Sequence, residues 1–400
     1  MAGRQKTRRR VALAYPVAVP WMALFMRGVA DYADRHGDWT ILTSPPTLAG
    51  AEQFAISVRT LRGWQGDGII AAISTTEEAR MARRLGVPVV NFGGTLEKCG
   101  LPRVMVDHHA MGRLAAEHLL QRGFRRLAYC GTEGPLYSRL RAEGFAHTAC
   151  EAGVSCNVLQ IPARFQKGDT WQRYMAPMER WLRRLKPPVG MLVVDDYRAR
   201  VVVELCHWLG LRVSRDVAVI GVDNDPTVCE FCRPSLTSVS RSAWRNGYEA
   251  AAMLDTLMAG KTPATSEVLI APDGVVARQS TATIVLDEPR VAAAVQLMCD
   301  HLAEPLGIDR VVEKAGISRR QLELRFRQVL HCTPLEYLSR LRVDRAKDLL
   351  SRPDHMKFET VAKACGFSSA ERLRIVFRRI TGRTPAEYRQ NLELGEIVRR

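Results

Sequence analysis

The sequence predicts an α/β fold of parallel sheets over its first three-quarters and an all-α fold over its last quarter, and three observations predict it. From Val11 to Met258, short and nearly continuous apolar runs alternate with amphipathic stretches of helical period. That is the pattern of parallel strands covered by helices on both faces. From Ile308 to Tyr388 the strand-like runs stop, and two related basic helical stretches take their place. A chain of 400 residues also exceeds a single core and suggests about two to three domains.

Taken in order, residues 11–19 read as a strand and Trp21 to His36 as a helix, its apolar face marked by Leu24, Phe25, Val29 and Tyr32. Trp39 to Leu42 is the next strand and Phe54 to Leu61 a helix. Gly66 to Ala71 is a strand behind a tight turn, Glu77 to Leu85 a helix and Val87 to Phe92 a strand. Arg103 to Asp107 is a strand, Ala110 to Gln121 a helix and Arg126 to Gly131 a strand. Ser138 to Ala152 is helical, a strand begins at Val158, and the helix from Trp171 to Leu185 stops at Pro187-Pro188. Val189 to Val194 is a strand ending in Asp195-Asp196, Arg198 to Leu209 a helix, Val217 to Asp223 a strand and Ala243 to Met258 a helix. Ala282 to Leu286 is strand-like, and Asp287-Glu288-Pro289 is the expected linker between domains 1–285 and 286–400.

The last quarter carries the sharper motif. Gly316-Ile317-Ser318 precedes a helical run with Leu322 and Phe326, and Gly366-Phe367-Ser368-Ser369 precedes one with Leu373 and Phe377. Each leucine–phenylalanine pair is four residues apart and shares one helix face. Arg320, Glu323 and Arg327 then point outward in the first unit, and Glu371, Arg374 and Arg378 in the second. Two helix–turn–helix units in tandem can place two helices in successive major grooves. Between them, Thr333-Pro334-Leu335-Glu336-Tyr337 starts a long helix through Leu350 that would fix their spacing. Residues 289–400 hold 22 basic against 14 acidic residues, half of the net charge of +16. That excess, with the motif, points to double-stranded DNA as partner, although a solvated basic surface would show the same charge.

In the first three-quarters, acids recur where strands run out, at Asp107, Asp196 and Asp223. Ligands bind beyond the carboxyl ends of strands in open α/β sheets. Carboxylates there suit a ligand rich in hydroxyls, with Trp21 and Trp64 offering apolar stacking faces. Each acid alone would serve equally well as the cap of the helix that follows it.

Composition excludes several classes. No apolar run is long enough to cross a bilayer. The basic start at Arg4, Lys6, Arg8, Arg9 and Arg10 is followed by too short an apolar run for an export signal, and a buried first strand is expected instead. Ten scattered cysteines suit reduced thiols and a cytoplasmic location. Cys229 and Cys232 form the single close pair and lack a second pair or histidines for zinc, and His108-His109 lacks further ligands. No phosphate loop, dinucleotide fingerprint or serine elbow is present. No cofactor, metal or catalytic residue is therefore expected.

Two resemblances extend this reading. Val106-Asp107, the run Gly112 to Leu119, Gly123 to Ala128, Arg141-Ala142-Glu143-Gly144-Phe145, Ile220 to Asn224 and Pro234 to Val239 resemble the LacI-type, two-lobed periplasmic-binding-protein-like effector domain. Gly366-Phe367-Ser368-Ser369, Phe377, Gly382, Thr384-Pro385 and Glu387-Tyr388-Arg389 resemble the AraC-type double helix–turn–helix domain. The first resemblance implies a monosaccharide between the lobes, contacted by Asp107, Arg141, Asp196, Asp223 and Arg241. The second implies base contacts from Arg320, Glu323, Glu371 and Arg374 and phosphate contacts from Arg319, Arg327, Ser369 and Arg378. Leu324 and Ile375 lie near the same outer faces, where an apolar side chain can meet a thymine methyl.

Together the resemblances imply a homodimeric transcription regulator, an activator of genes for a xylose-like sugar, meeting operator DNA and RNA polymerase. The dimer surface is expected near residues 21–36 and 54–62. Two departures stand out: LacI-type proteins begin with a DNA-binding headpiece where this sequence starts almost directly at the expected first strand, and Asp195 occupies a position with another polar residue in many LacI-type domains. A DNA- or nucleotide-acting enzyme with an AraC-type targeting module, and an exported sugar-binding protein, are the alternatives.

Overall fold

Parallel strands paired in non-sequential order need helical crossovers, and the alternating pattern supplies them. The computed structural model describes residues 8–15, 21–36, 38–43, 56–163, 170–286, 288–330, 332–350 and 356–389. Two compact units divide the chain, Met1–Thr281 and Ala282–Arg400.

In the first unit, β1 (Arg9–Ala14), α1 (Trp21–His36), β2 (Trp39–Leu42), β3 (Gly68–Ala71), α2 (Thr76–Ala82), β4 (Val89–Asn91) and β5 (Arg103–Val106) build one lobe. The chain crosses into α3 (His108–Gln121), β6 (Arg126–Thr132), α4 (Leu136–Glu151), β7 (Ser155–Ile161), α5 (Trp171–Leu182), β8 (Val189–Val193), α6 (Asp196–Trp208), β9 (Val217–Val222), α7 (Pro226–Cys229) and β10 (Thr237–Ser240). It returns through α8 (Ala243–Met258) and β11 (Glu267–Ile270), then crosses a third time to β12 (Gly274–Val276). The two sheets run β11-β5-β4-β3-β1-β2 and β12-β10-β9-β8-β6-β7. Among the described residues every strand pairing is parallel except β10 with β12. Three crossings thus join the lobes, near Asp107, Ser242 and Ala271–Asp273. Asp273 ties two of them together, accepting from Ser240 Oγ at 2.9 Å, from Ser242 N at 3.1 Å and from Ser242 Oγ.

Each lobe holds one tightly crossed helix pair. A Cβ at Gly28 of α1 would lie 2.0 Å from the Trp244 carbonyl oxygen of α8, and one at Gly247 equally close to that of Phe25. Gly112 of α3 and Gly144 of α4 make the matching pair in the second lobe, at 2.1 and 2.0 Å from the Arg141 and His109 carbonyls. Only glycine permits this backbone approach. It holds Trp21 on α1 and Arg141 on α4 at the lobes' facing edges.

In the second unit, α9 (Pro289–Asp300), α10 (Ile308–Ala315) and α11 (Arg319–Leu330) enclose a core of Val291, Val295, Met298, Val311, Leu322 and Phe326. α13 (Phe358–Ala364) and α14 (Ala370–Thr381) enclose another around Val361, Leu373, Val376 and Phe377. α12 (Pro334–Leu350) serves both: Tyr337 and Leu338 sit in the first core, and Val343, Ala346, Leu349 and Leu350 in the second.

Several expectations are corrected. The described part of the expected helix Phe54 to Leu61 is a hydrogen-bonded turn in which Thr60 N and Leu61 N both donate to the Ser57 carbonyl; Phe54 and Ala55 lie outside the described residues. Residues 282–286 form no strand, because Ile284 and Leu286 pack against the core of the second unit instead of pairing. Glu288 and Pro289 do not act as linker: Glu288 caps α9 and pairs with Arg325, and Pro289 is the first helical residue, where its missing N–H costs nothing. Asp287, Arg4 and Lys6 lie outside the described residues. β10, β11, β12 and α9 escaped the sequence reading. Their segments are too short, or too weakly periodic, to stand out before their neighbours are known.

Candidate functional site

The first unit contains a cavity of about 230 Å³ at the carboxyl ends of both sheets. Its lining comes mostly from the first one or two residues past each strand: Tyr15 after β1, Ala72 after β3, Phe92 after β4, His108 after β5, Asp195 after β8, Asp223 after β9 and Arg241 after β10. Trp21 and Met22 from α1, and Tyr137 and Arg141 from α4, complete it, with Gly93, Gly94 and Thr95 along one edge.

Arg141 and Arg241 share one carboxylate. Arg241 Nη1 donates to Asp223 Oδ1 at 3.1 Å, and Arg141 Nη2 stands 3.8 Å from the same oxygen. Arg141 also donates through Nη1 to the Val194 carbonyl. The Arg241 guanidinium lies over the Trp21 ring, 3.6 Å from its centroid, a cation–π stack in a desolvated place. Asp223 is held there in an unusual backbone conformation, φ +108, which a non-glycine residue adopts only under constraint. His108 is buried with no hydrogen-bond partner at Nδ1. Burial first, then the charges of Arg141, Arg241 and Arg103, pushes its pKa well below the usual value, so it is neutral. Trp21 and Phe92 meet edge to face at 6.5 Å and give the cavity an apolar wall.

Of the seven ligand residues expected, the structure brings four to the cavity: Trp21, Arg141, Asp223 and Arg241. Three lie elsewhere. Asp107 caps α3, its carboxylate accepting from Ala110 N at 2.9 Å. Asp196 faces away beneath β9, accepting from Ser238 Oγ at 2.6 Å and Asp225 N at 2.8 Å. Its neighbour Asp195 takes the lining position, because successive side chains at the strand end diverge. Trp64 folds over Gly66, within 2.3 Å of where a Cβ would be, and packs into the core on the far side of the first sheet. Tyr15, Phe92, His108 and Tyr137 were missed. Phe92 ends and His108 follows a strand as read from the sequence, so a rule extended to every strand end, and not only to acids, would have found both, whereas Tyr15 falls inside the expected strand 11–19 and gave no such signal.

The second unit presents the two reader helices. Gly316 (φ +64) and Gly366 (φ +74) make the turns in the left-handed region. Ser318 Oγ accepts from Gln321 N at 3.3 Å while Ser318 N donates to Gln321 Oε1, and Ser369 Oγ accepts from Arg372 N at 3.1 Å. Leu322, Phe326, Leu373 and Phe377 are buried, whereas Leu324 is 57% exposed and Ile375 is 48% exposed. Arg319, Arg320, Arg327, Ser369, Glu371, Arg374 and Arg378 are exposed and Glu323 is half-buried. Glu371 and Arg374 clasp each other at 2.6 and 2.8 Å, and Arg319 reaches Glu323 at 3.3 Å. The hydrogen bond from Arg374 holds the Glu371 carboxyl below its usual range. Each reader is backed by the same buttress: Tyr337 packs edge-on to Phe326 at 6.0 Å, and Tyr388 to Phe377 at 5.5 Å. Thr333 with Glu336, and Thr384 with Glu387, form the same reciprocal cap before these tyrosines.

Among the described residues no helix is long and apolar enough to cross a membrane, and no cluster of three metal-binding side chains occurs.

Comparison with known proteins finds domain-family matches over part of each unit. Residues 116–281 match the periplasmic binding protein-like domain, and residues 311–391 a helix-turn-helix domain. The chain is similar to the xylose operon regulatory protein of Escherichia coli (strain K12), 26% identical over 393 residues covering 96% of this chain and 97% of that one. It is likewise similar to the protein of that name from Haemophilus influenzae, 25% identical over 353 residues covering 85% and 89%. Among solved structures, that of the xylose-binding transcription activator xylR superposes with a TM-score of 0.68 at 25% identity, covering 96% of this chain and 98% of that one.

Proposed function

We propose that this chain, which joins a periplasmic-binding-protein-like domain to an AraC-type double helix–turn–helix domain, is a sugar-responsive DNA-binding transcription regulator. The observation that carries the reading is the pairing of a polar, aromatic-walled cavity at the strand ends with two capped basic helices on one connecting helix. The similarity to xylose operon regulators along nearly the whole chain supports it.

A monosaccharide occupies the cavity, with its C–H face on Trp21 and its hydroxyls toward Asp223, Asp195 and His108. Binding draws the lobes together about the three crossings, two of which Asp273 ties to each other. The change alters how two protomers present α11 and α14 to a repeated operator. On the DNA, Arg320, Glu323, Glu371 and Arg374 meet base edges, and Arg319, Arg327, Ser369 and Arg378 meet phosphates. The protein acts in the cytoplasm as a dimer and an activator, recruiting RNA polymerase to catabolic genes for its effector.

The buried thiols favour a regulator over an alkyl-transfer enzyme. Burial pushes Cys130 and Cys206 up to about 12, far from the thiolate a nucleophile needs. The test is selection of binding sites from random duplex by the full-length protein, with and without a monosaccharide panel. An enriched repeated site whose occupancy responds to one sugar supports the reading. Equal binding to all duplexes, or turnover of a sugar or nucleotide, refutes it.

A further inference from the structure

Among the described residues, charges around the cavity do not balance. Two guanidinium groups, Arg141 and Arg241, face it and share the single carboxylate of Asp223. The other lining acid, Asp195, is already answered: Arg198 donates to its Oδ2 at 2.5 Å, and its Oδ1 accepts from Arg198 N. Asp196 adds no compensating charge at neutral pH, since burial, then the charge of Asp223, raises its carboxyl to about 8. Both arginines are buried, and the Nε–H of each lacks a hydrogen-bond partner. A buried cation without its counter-charge is costly, and a guanidinium edge fits a planar carboxylate in two parallel hydrogen bonds.

Resting on the sugar-sensor reading above, we infer that the effector of this cavity is an acidic monosaccharide, a uronic or aldonic acid whose carboxylate lies against Arg141 and Arg241. One unbalanced positive charge calls for a monoanion, whereas a sugar phosphate would bring nearly two. The cavity is smaller than the roughly 300 Å³ at the low end of drug-sized pockets, which suits a single sugar ring or open-chain acid. Trp21 covers the sugar's apolar face while its stack on Arg241 holds that guanidinium in place.

The experiment is calorimetry and thermal shift of the full-length protein with D-galacturonate, D-glucuronate and D-gluconate. D-galactose, D-glucose, D-xylose and the methyl ester of D-galacturonic acid serve as neutral counterparts. One of the acids is expected to bind roughly 30-fold more tightly than its neutral counterpart, the scale of a charge-assisted bond. Arg241→Gln is expected to shrink that preference to a few-fold. The wild-type comparison of galacturonate with its ester needs no variant. Tight binding of a neutral sugar, with no advantage for any acid, overturns the inference and leaves the sensor reading standing. Binding of no sugar of either kind overturns both.

Discussion

Replacing Asp196 by asparagine removes an ionisable group from beneath β9 while keeping its shape. In the native chain its carboxyl is raised to about 8 by burial and then by the charge of Asp223, against about 3.9 in an unfolded chain. Between those values the folded state holds a proton the unfolded state has lost. This contribution to stability is therefore full below about pH 4, falls as pH rises, and is gone above about pH 8. Each pH unit in that window is worth about 1.4 kcal/mol, so raising pH from about 6 to about 8 costs the native protein about 2 kcal/mol at this residue. For a unit of this size that is roughly 4 °C in Tm. Asparagine can keep both contacts, its oxygen accepting from Asp225 N and its amide donating to Ser238 Oγ. Thermal unfolding of both full-length proteins at the two pH values provides the assay. The native Tm should fall by several degrees more than that of Asp196→Asn. Parallel pH dependence in the two proteins would refute a protonated Asp196.

Other perturbations separate the roles of the second unit. Phe326→Ala and Phe377→Ala each empty a fully buried position in one of two separate cores, at about 3–5 kcal/mol; DNA footprinting should show loss of contact over one half of the operator in each variant. Arg327→Ala and Arg378→Ala should weaken binding to all duplexes alike and reduce the slope of log affinity against log salt by about 1 each, measured by fluorescence anisotropy. Arg320→Ala and Arg374→Ala should instead cost about 1–3 kcal/mol on the preferred site and relax base preference there, as read by site selection. Gly366→Ala puts a Cβ at φ +74 and 2.4 Å from the Leu302 carbonyl, so it should lower the unfolding temperature measured by circular dichroism, whereas Gly382→Ala, also at positive φ (+76) but in open space, should cost less.

Much of this fold was legible because its signals are local. A strand buried on both faces must be apolar throughout, and β3, β8 and β9 read plainly for that reason. The reader helices were legible because a turn needs its glycine, a cap its serine and a small core its leucine and phenylalanine at fixed spacing. The short strands β10, β11 and β12 were not legible, because pairing with distant neighbours, and not their own composition, makes them strands.

The sequence by itself determined the order of the two domain types, most strands of the parallel sheets, and the faces of α11 and α14, since periodicity and turn chemistry act within a few residues. Tertiary structure alone decided which residues meet in the cavity. Asp107, Asp195, Asp196 and Asp223 look alike in the chain, yet one caps a helix, one pairs with Arg198 at the cavity wall, one is buried beneath a strand and one is shared by two arginines. The first two fates are contacts three residues along the chain, whereas those of Asp196 and Asp223 depend on Asp225, Ser238, Arg141 and Arg241, brought from segments some tens of residues away that no local spacing encodes.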